Sequence, residues 1–221
     1  MSPLPAYAFL LTALLATTSF AEPPNLGQLK TELRHYHDSG RYEHEIQIVA
    51  TRASRYIARR VQQNHHQAKP QKFAMVLDID ETSLSNYNRM IHKDFSGDRD
   101  SIHRHILAAH DPAILPVLNL YQTAIKQGVH VFFVTGRQTS ECTQATQRNL
   151  RKAGFHDWSA LYCRPENDAN HSVSQFKTNV RKHLTEQGYK IIVNMGDQQS
   201  DLRGGYAEKG FKLPNPFYYL P

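Results

Sequence analysis

Two aspartates set two residues apart, Asp78 and Asp80, close the stretch Phe73-Ala74-Met75-Val76-Leu77-Asp78-Ile79-Asp80-Glu81-Thr82. Residues i and i+2 of an extended chain project the same way. Both carboxylates are therefore expected to face one pocket. Two such groups repel, so a cation must hold them, and Mg²⁺ is the usual partner of an all-oxygen site. The competing reading is a strand followed by an acidic turn, and the pair alone does not separate the two.

Other chemistry-bearing residues recur in the same setting. Val129-His130-Val131-Phe132-Phe133-Val134 runs into Thr135-Gly136-Arg137. Thr135 and the amides around Gly136 would lie at a strand–helix junction, where main-chain N–H groups attract anions. Tyr189-Lys190-Ile191-Ile192-Val193-Asn194-Met195 runs into Gly196-Asp197-Gln198-Gln199-Ser200-Asp201, which again puts carboxylates at a strand end. Lys177 falls in the early turns of a helical stretch, off its apolar face, and alone reads as a surface lysine.

The elements that must position these groups are legible from periodicity. Unbroken apolar runs such as 73–77 read as strands buried on both faces of a parallel sheet. Ligands of such sheets bind beyond the carboxyl ends of the strands. Ala160-Leu161-Tyr162-Cys163 is a further short strand. Helical spacing marks Leu26, Leu29 and Leu33, then Tyr42 through Val61, then Ile114 through Ile125, then about 139–153. It also marks Val173, Phe176, Val180 and Leu184, with Asn170 or Ser172 as cap. The alternation predicts an α/β fold, a Rossmann-like parallel sheet flanked by helices. Residues 25–68 are expected as N-terminal helices. The polar segment 83–111 is expected as a small helical cap hanging over the pocket. The tail Lys212 to Tyr219, rich in Pro and aromatics, is expected to pack on the domain.

The chain has 221 residues, 40% of them hydrophobic, and a formal net charge of +6. That balance suits one globular domain with a small accessory piece. Without a basic run or a nucleic-acid motif, the charge points to a small anion rather than to a nucleic acid polymer. Of the 13 histidines, the close pairs His35/His37, His65/His66 and His103/His105 lack zinc-site spacing and read as solvated surface. Residues 1–21 read as a signal peptide. Leu10 to Ala16 is its apolar core, and Ser19-Phe20-Ala21 is its cleavage site. The apolar run is short for a membrane anchor, so a periplasmic or secreted mature chain from Glu22 is expected, with no stable anchor. Cys142 and Cys163 are the only cysteines. Export permits a disulfide, and two free thiols remain the alternative.

Taken together, Asp78-Ile79-Asp80-Glu81-Thr82, Thr135-Gly136-Arg137, Lys177 and Gly196-Asp197-Gln198-Gln199-Ser200-Asp201 resemble the four ordered motifs of the haloacid dehalogenase superfamily. Asn25-Leu26-Gly27, Ser83-Leu84-Ser85-Asn86 and Leu213-Pro214-Asn215-Pro216 narrow the resemblance to its secreted acid phosphatases, subfamily IIIB, grouped with plant vegetative storage proteins. The resemblance implies Asp78 as nucleophile and Asp80 as general acid and base. It implies Asp78, the Asp80 carbonyl and Asp197 as Mg²⁺ ligands, with Asp201 supporting. Thr135, Gly136 and Lys177 would bind phosphate, and Lys177 would also stabilise transferring charge. The implied reaction is hydrolysis of small phosphomonoesters. Nucleoside monophosphates fit if Tyr87 or Phe95 stacks a base, core packing being the competing reading for both. Phosphotransfer to an alcohol, and a non-catalytic storage or phosphate-binding role, stay open. So does a homo-oligomer.

Overall fold

The computed structural model describes residues 22–168 and 171–220. The expected signal peptide and Asn170 lie outside the described residues. A parallel sheet runs in the order β3-β2-β1-β4-β5. Its strands are β1 (Lys72–Leu77), β2 (His130–Gln138), β3 (Ala160–Arg164), β4 (Tyr189–Gly196) and β5 (Gly210–Lys212). The expected α/β fold is the observed one. The three-residue β5 carries too little apolar sequence to be foreseen, and it pairs with β4 through Asn194, Met195 and Gly196.

Strand parity divides the core. Phe73, Met75 and Leu77 of β1 join Val131 and Phe133 of β2 on one face. That face packs under α2 (Arg41–His65), through Tyr42, Ile46, Ala53 and Ile57, and under α5 (Leu115–Lys126), through Val117, Leu120 and Ala124. Ala74 and Val76 join Phe132, Val134 and Ile191 on the other face, against Val180 and Leu184 of α8 (Val173–Glu186). Asp78 continues the parity of Ala74 and Val76. It therefore leaves the sheet on the α8 side.

The first helix, α1 (Leu26–Asp38), forms where expected, capped by the Asn25 side chain. Its predicted apolar stripe is not a core stripe, however. Leu26 and Leu29 are exposed, and only Leu33 packs against the core. The segment 83–111 folds into α3 (Tyr87–His92) and α4 (Arg99–Ala108). Asp94, between them, is held by Lys30 at 2.6 Å and Arg34 at 3.1 Å on α1. The stretch after β2 is not one regular helix. Short α6 (Thr139–Glu141) and α7 (Gln147–Lys152) flank a π-helical turn at Cys142–Thr146. Cys142 is bonded there to Cys163 of β3, which closes the alternative of two free thiols. Ser172, the other expected cap, accepts from the Gln175 amide. The last helix is α9 (Gln199–Leu202). Among the described residues, no helix is long and apolar enough to cross a membrane.

Two of the histidines read as solvated are instead packed. His37 stacks on Tyr87 with ring centroids 3.3 Å apart. His105 meets the buried Asp111 at 2.5 Å. Burying either acid or ring without a partner would be costly, and the pairings remove that cost.

Candidate active site

The carboxyl ends of β1, β2 and β4 open into a cavity of about 670 Å³ lined by Asp78, Asp80, Gly136, Arg137, Lys177, Asp197 and Asp201. The segment 83–111 adds Arg89, Met90, Phe95, Arg99, Ile102 and Ile106 to the lining. The sheet therefore gathers six of the seven site residues expected from sequence on one wall. Thr135 is the exception. It is fully buried, and its hydroxyl accepts the Arg137 amide at 3.1 Å. A second hollow, of about 650 Å³, lies at the opposite ends of β1 and β4, against Lys72, Tyr189 and Glu208. Its one acid, Glu208, is already taken by Arg60, Lys190 and Tyr56.

Asp78 prolongs β1, its amide donating to the Met195 carbonyl at 3.0 Å. Lys177 of α8 reaches over the sheet and donates to Asp78 Oδ1 at 2.5 Å and to Asp201 Oδ1 at 2.6 Å. The sequence put Lys177 off the apolar face of its helix, yet it is only 5% exposed. The two carboxylates explain how a cation survives there. Burial would lower the lysine, but Asp78 and Asp201 hold it above its ordinary value. Asp78 itself is pushed well up, first by burial. Asp201, Asp197 and Asp80 push it further against the pull of Lys177.

Asp80, only two residues on, has a different environment. Arg137 grips it, with Nη2 at 2.7 Å from Oδ1 and Nε at 3.0 Å from Oδ2. The Asn86 amide adds a third donor at 2.8 Å. Burial would raise this carboxyl, but Arg137 and Asn86 bring it below the usual carboxylate value. Arg137 is held in turn by Thr146 Oγ1 at 2.9 Å and lies 3.7 Å from Asp111. The sequence marked Arg137 as part of a motif and gave it no role.

The turn after Asp80 is folded back on itself. Ile79 O accepts from Ser83 at 2.9 Å and from Leu84 at 2.8 Å, and Glu81 takes a left-handed φ of 52°. That conformation is uncommon for a residue with a side chain. Its carboxyl is tied down by the Asn86 amide at 2.6 Å and by Tyr218 Oη at 3.1 Å. Burial, and then Asp80, push Glu81 up to about 8. Its carboxyl is therefore held largely in the neutral form at neutral pH.

Asp197, at the end of β4, accepts from Thr82 at 2.9 Å and from Gln198 and Asn215 at 2.7 Å each. Burial, then Asp201, still leave it above its ordinary value. Asp201 caps α9 by accepting the Gln198 amide at 2.7 Å. Close approach requires glycine at 196, because a Cβ there would lie 2.2 Å from the Asp201 carboxylate. The fully buried Arg181 pins the following loop by donating to the carbonyls of Asp201 at 2.8 Å and Gly205 at 2.9 Å.

The C-terminal segment completes the site, which the sequence showed only as a packed tail. Phe217 enters an aromatic cluster with Tyr42, Tyr87 and Phe95, at 5.1, 5.4 and 6.2 Å between centroids. That anchor delivers Asn215 to Asp197 and Tyr218 to Glu81. It also separates the two candidate stacking residues. Phe95 lines the cavity, whereas Tyr87 is buried against His37 and bonded to Asp38, so Tyr87 is a packing residue.

The donor set suits a hard divalent cation. Carboxylate oxygens of the buried Asp78, Asp197 and Asp201 lie within 4.8 Å of one another. Among the described residues, the ion pairs of these four carboxylates, counting Asp80, within the cavity are to two cations, Lys177 and Arg137, which leaves an excess of negative charge at contact distance. All-oxygen donors with that excess are what Mg²⁺ or a similar ion takes.

Comparison with known proteins agrees with this architecture. The chain is 36% identical over 159 residues to acid phosphatase 1 of Solanum lycopersicum, covering 66% of this chain and 58% of that protein. It is 32% identical over 150 residues to vegetative storage protein 2 of Arabidopsis thaliana, covering 66% and 56%. The chain thus spans about half the length of the curated relatives it matches. In structure it resembles the class C acid phosphatase from Bacillus anthracis, with a TM-score of 0.68, 19% identity, and 88% and 86% of the two chains covered. The family described as HAD superfamily, subfamily IIIB (acid phosphatase), matches residues 17–221. The chain belongs to that family, subfamily IIIB of the haloacid dehalogenase superfamily.

Proposed function

We propose that the chain is a Mg²⁺-dependent phosphomonoesterase that works through an aspartyl-phosphate on Asp78. The observation that carries this reading is the position of Lys177, 2.5 Å from Asp78 and 2.6 Å from Asp201, in the cavity that Asp197 also lines. A buried lysine fixed on a carboxylate aims it and pulls it toward the ionised form, against burial and the neighbouring aspartates. It also offers positive charge where a phosphoryl group would gain negative charge.

In the first step, an Asp78 carboxylate oxygen forms a bond to phosphorus and the phosphorus–oxygen bond to the alcohol breaks. Asp80 gives its proton to the departing oxygen. In the second step, Asp80 takes a proton from water. The water oxygen bonds to phosphorus, and phosphate leaves Asp78. Gly136, at the end of β2, and Lys177 would bind phosphate oxygens, while Thr135, buried and accepting the Arg137 amide, would hold the shape of that turn. Arg137 favours the ionised form of Asp80, which suits the base step. The negative charge of an arriving phosphate pushes the other way, so Asp80 becomes an acid only with substrate in place. Asp78, the Asp80 carbonyl and Asp197 would hold Mg²⁺, with Asp201 holding Lys177 beside them. When bound, the ion supplies neutralisation of the carboxylates and of the phosphate.

Residues 25–68 and 83–111 serve on this reading as helical support and cap of one phosphatase unit. Export follows from the apolar core at residues 10–16 and is supported by the Cys142–Cys163 bond, since disulfides persist in oxidising compartments. The deciding assay is phosphate release from p-nitrophenyl phosphate with Mg²⁺ and its loss with chelator. Phosphate binding without turnover would favour a storage role. Transfer to an added alcohol would favour a phosphotransferase.

A further inference from the structure

The cations on the cavity wall fall into two groups. Lys177 is held by two carboxylates, Arg137 by Asp80, and Arg164 by the carbonyls of Asp168 and His171. Arg89 and Arg99, on the cap side, have no side-chain hydrogen bond or ion pair among the described residues. Arg89 is the more telling of the two. Its Nε is shielded from solvent and bonded to nothing. Its Nη1 packs so closely on the segment between α3 and α4 that a Cβ at Gly97 would lie 3.1 Å away. A shielded N–H without an acceptor is costly. A planar guanidinium fork matches a carboxylate or phosphate with two parallel bonds. The same cavity is also lined by the apolar side chains of Met90, Phe95, Ile102, Ile106 and Phe217.

We propose that Arg89, assisted by Arg99, recognises a second anionic group, carboxylate or phosphate, on the body of the substrate. The preferred substrate class is then a phosphomonoester whose apolar linker ends in another negative charge. This rests on the phosphatase reading above and adds a specificity determinant to it. Arg89 touches no group assigned to the chemical steps, so its contribution is to binding of the body.

The test compares kcat/KM for three series of primary alkyl phosphates of matched and increasing chain length. One ends in hydroxyl, one in carboxylate and one in a second phosphate. A remote terminal group leaves the departing alkoxide unchanged. At the chain length that spans the cavity, the wild type should favour the anionic termini over hydroxyl by about 10- to 100-fold, as one charge-assisted contact allows. The two anionic arms show which group is preferred. Arg89→Gln should collapse the ratio toward one, and Arg89→Lys, which keeps the charge without the fork, should retain part of it. An equal ratio in wild type and both variants would overturn the inference. So would a uniform loss across all three series, which would mean that Arg89 grips the transferred phosphoryl group. Hydrolysis of none of the series by the wild type would instead overturn the phosphatase reading, and this inference with it.

Discussion

Arg137 closes on the Asp80 carboxylate with Nη2 at 2.7 Å and Nε at 3.0 Å, while the Asp78 carboxylate, two residues earlier, is held by Lys177 at 2.5 Å. One strand end thus carries two carboxylates with opposite electrostatic settings, one pushed up and one brought down. The split follows from geometry. Asp78 keeps the strand parity that faces α8. Asp80 lies past the strand, where β2 delivers Arg137.

Removing Arg137 should therefore harm Asp80 selectively. Breaking a buried ion pair from one side costs about 3–5 kcal/mol, and the partial exposure of Asp80 to the cavity moderates it. Arg137→Met should lower Tm and, by leaving Asp80 more protonated, slow the water-activating step, so that alkyl and aryl phosphates lose turnover alike and phosphorylated protein accumulates. A double-mutant cycle with Asp80→Asn should show strong coupling. Additive losses would mean that the two side chains act independently.

Asn215 should tune the metal. It donates to Asp197 Oδ2 at 2.7 Å from the C-terminal segment, 18 residues further along the chain. Hydrogen-bonded partners of metal ligands are typically worth about 10- to 100-fold in affinity. Asn215→Ala should raise the Mg²⁺ concentration for half-maximal activity by that order, with the circular dichroism spectrum unchanged. An unaltered metal requirement would detach Asn215 from the metal site.

How much of this was legible follows the kind of signal each residue carries. Apolar runs mark β1, β2 and β4, so the aspartates at their ends were visible. The resemblance then joined Lys177 to them. Arg137 as a clamp, Asn215 as a holder of Asp197 and Tyr218 as a partner of Glu81 were not visible. The bonded residues lie 57, 18 and 137 positions apart, and no local pattern encodes such pairings. Leu26 and Leu29 fail in the opposite sense. Their spacing is helical, but among the described residues nothing covers them.

Away from the site, Glu208 should make stability depend on acid. Its bonds to Arg60, Lys190 and Tyr56 bring it from 4.5 down to about 2, against a smaller opposing effect of burial. The folded value is depressed, so the stabilisation is full above the unfolded value. It is lost as pH falls from about 4.5 to 2. Allowing for solvent screening, Glu208→Gln should cost about 1 kcal/mol at neutral pH, or about 2–4 °C in Tm. Denaturation midpoints of variant and wild type should converge near the acid end of that window. A gap that stays constant with pH would assign the loss to packing.

The central claim is that Asp78 carries the phosphoryl group, and trapping that intermediate tests it most directly. Asp80→Asn slows the water-activating step, where a general base typically contributes about 10²- to 10⁴-fold. An activated aryl phosphate still leaves readily without a proton. Rapid quench of Asp80→Asn with such a substrate and Mg²⁺ should give a burst of phenol and a phosphorylated protein. Peptide mapping should place the acyl phosphate on Asp78, and Asp78→Asn should give neither burst nor label. A label on any other residue, or wild-type turnover by Asp78→Asn, would contradict the account.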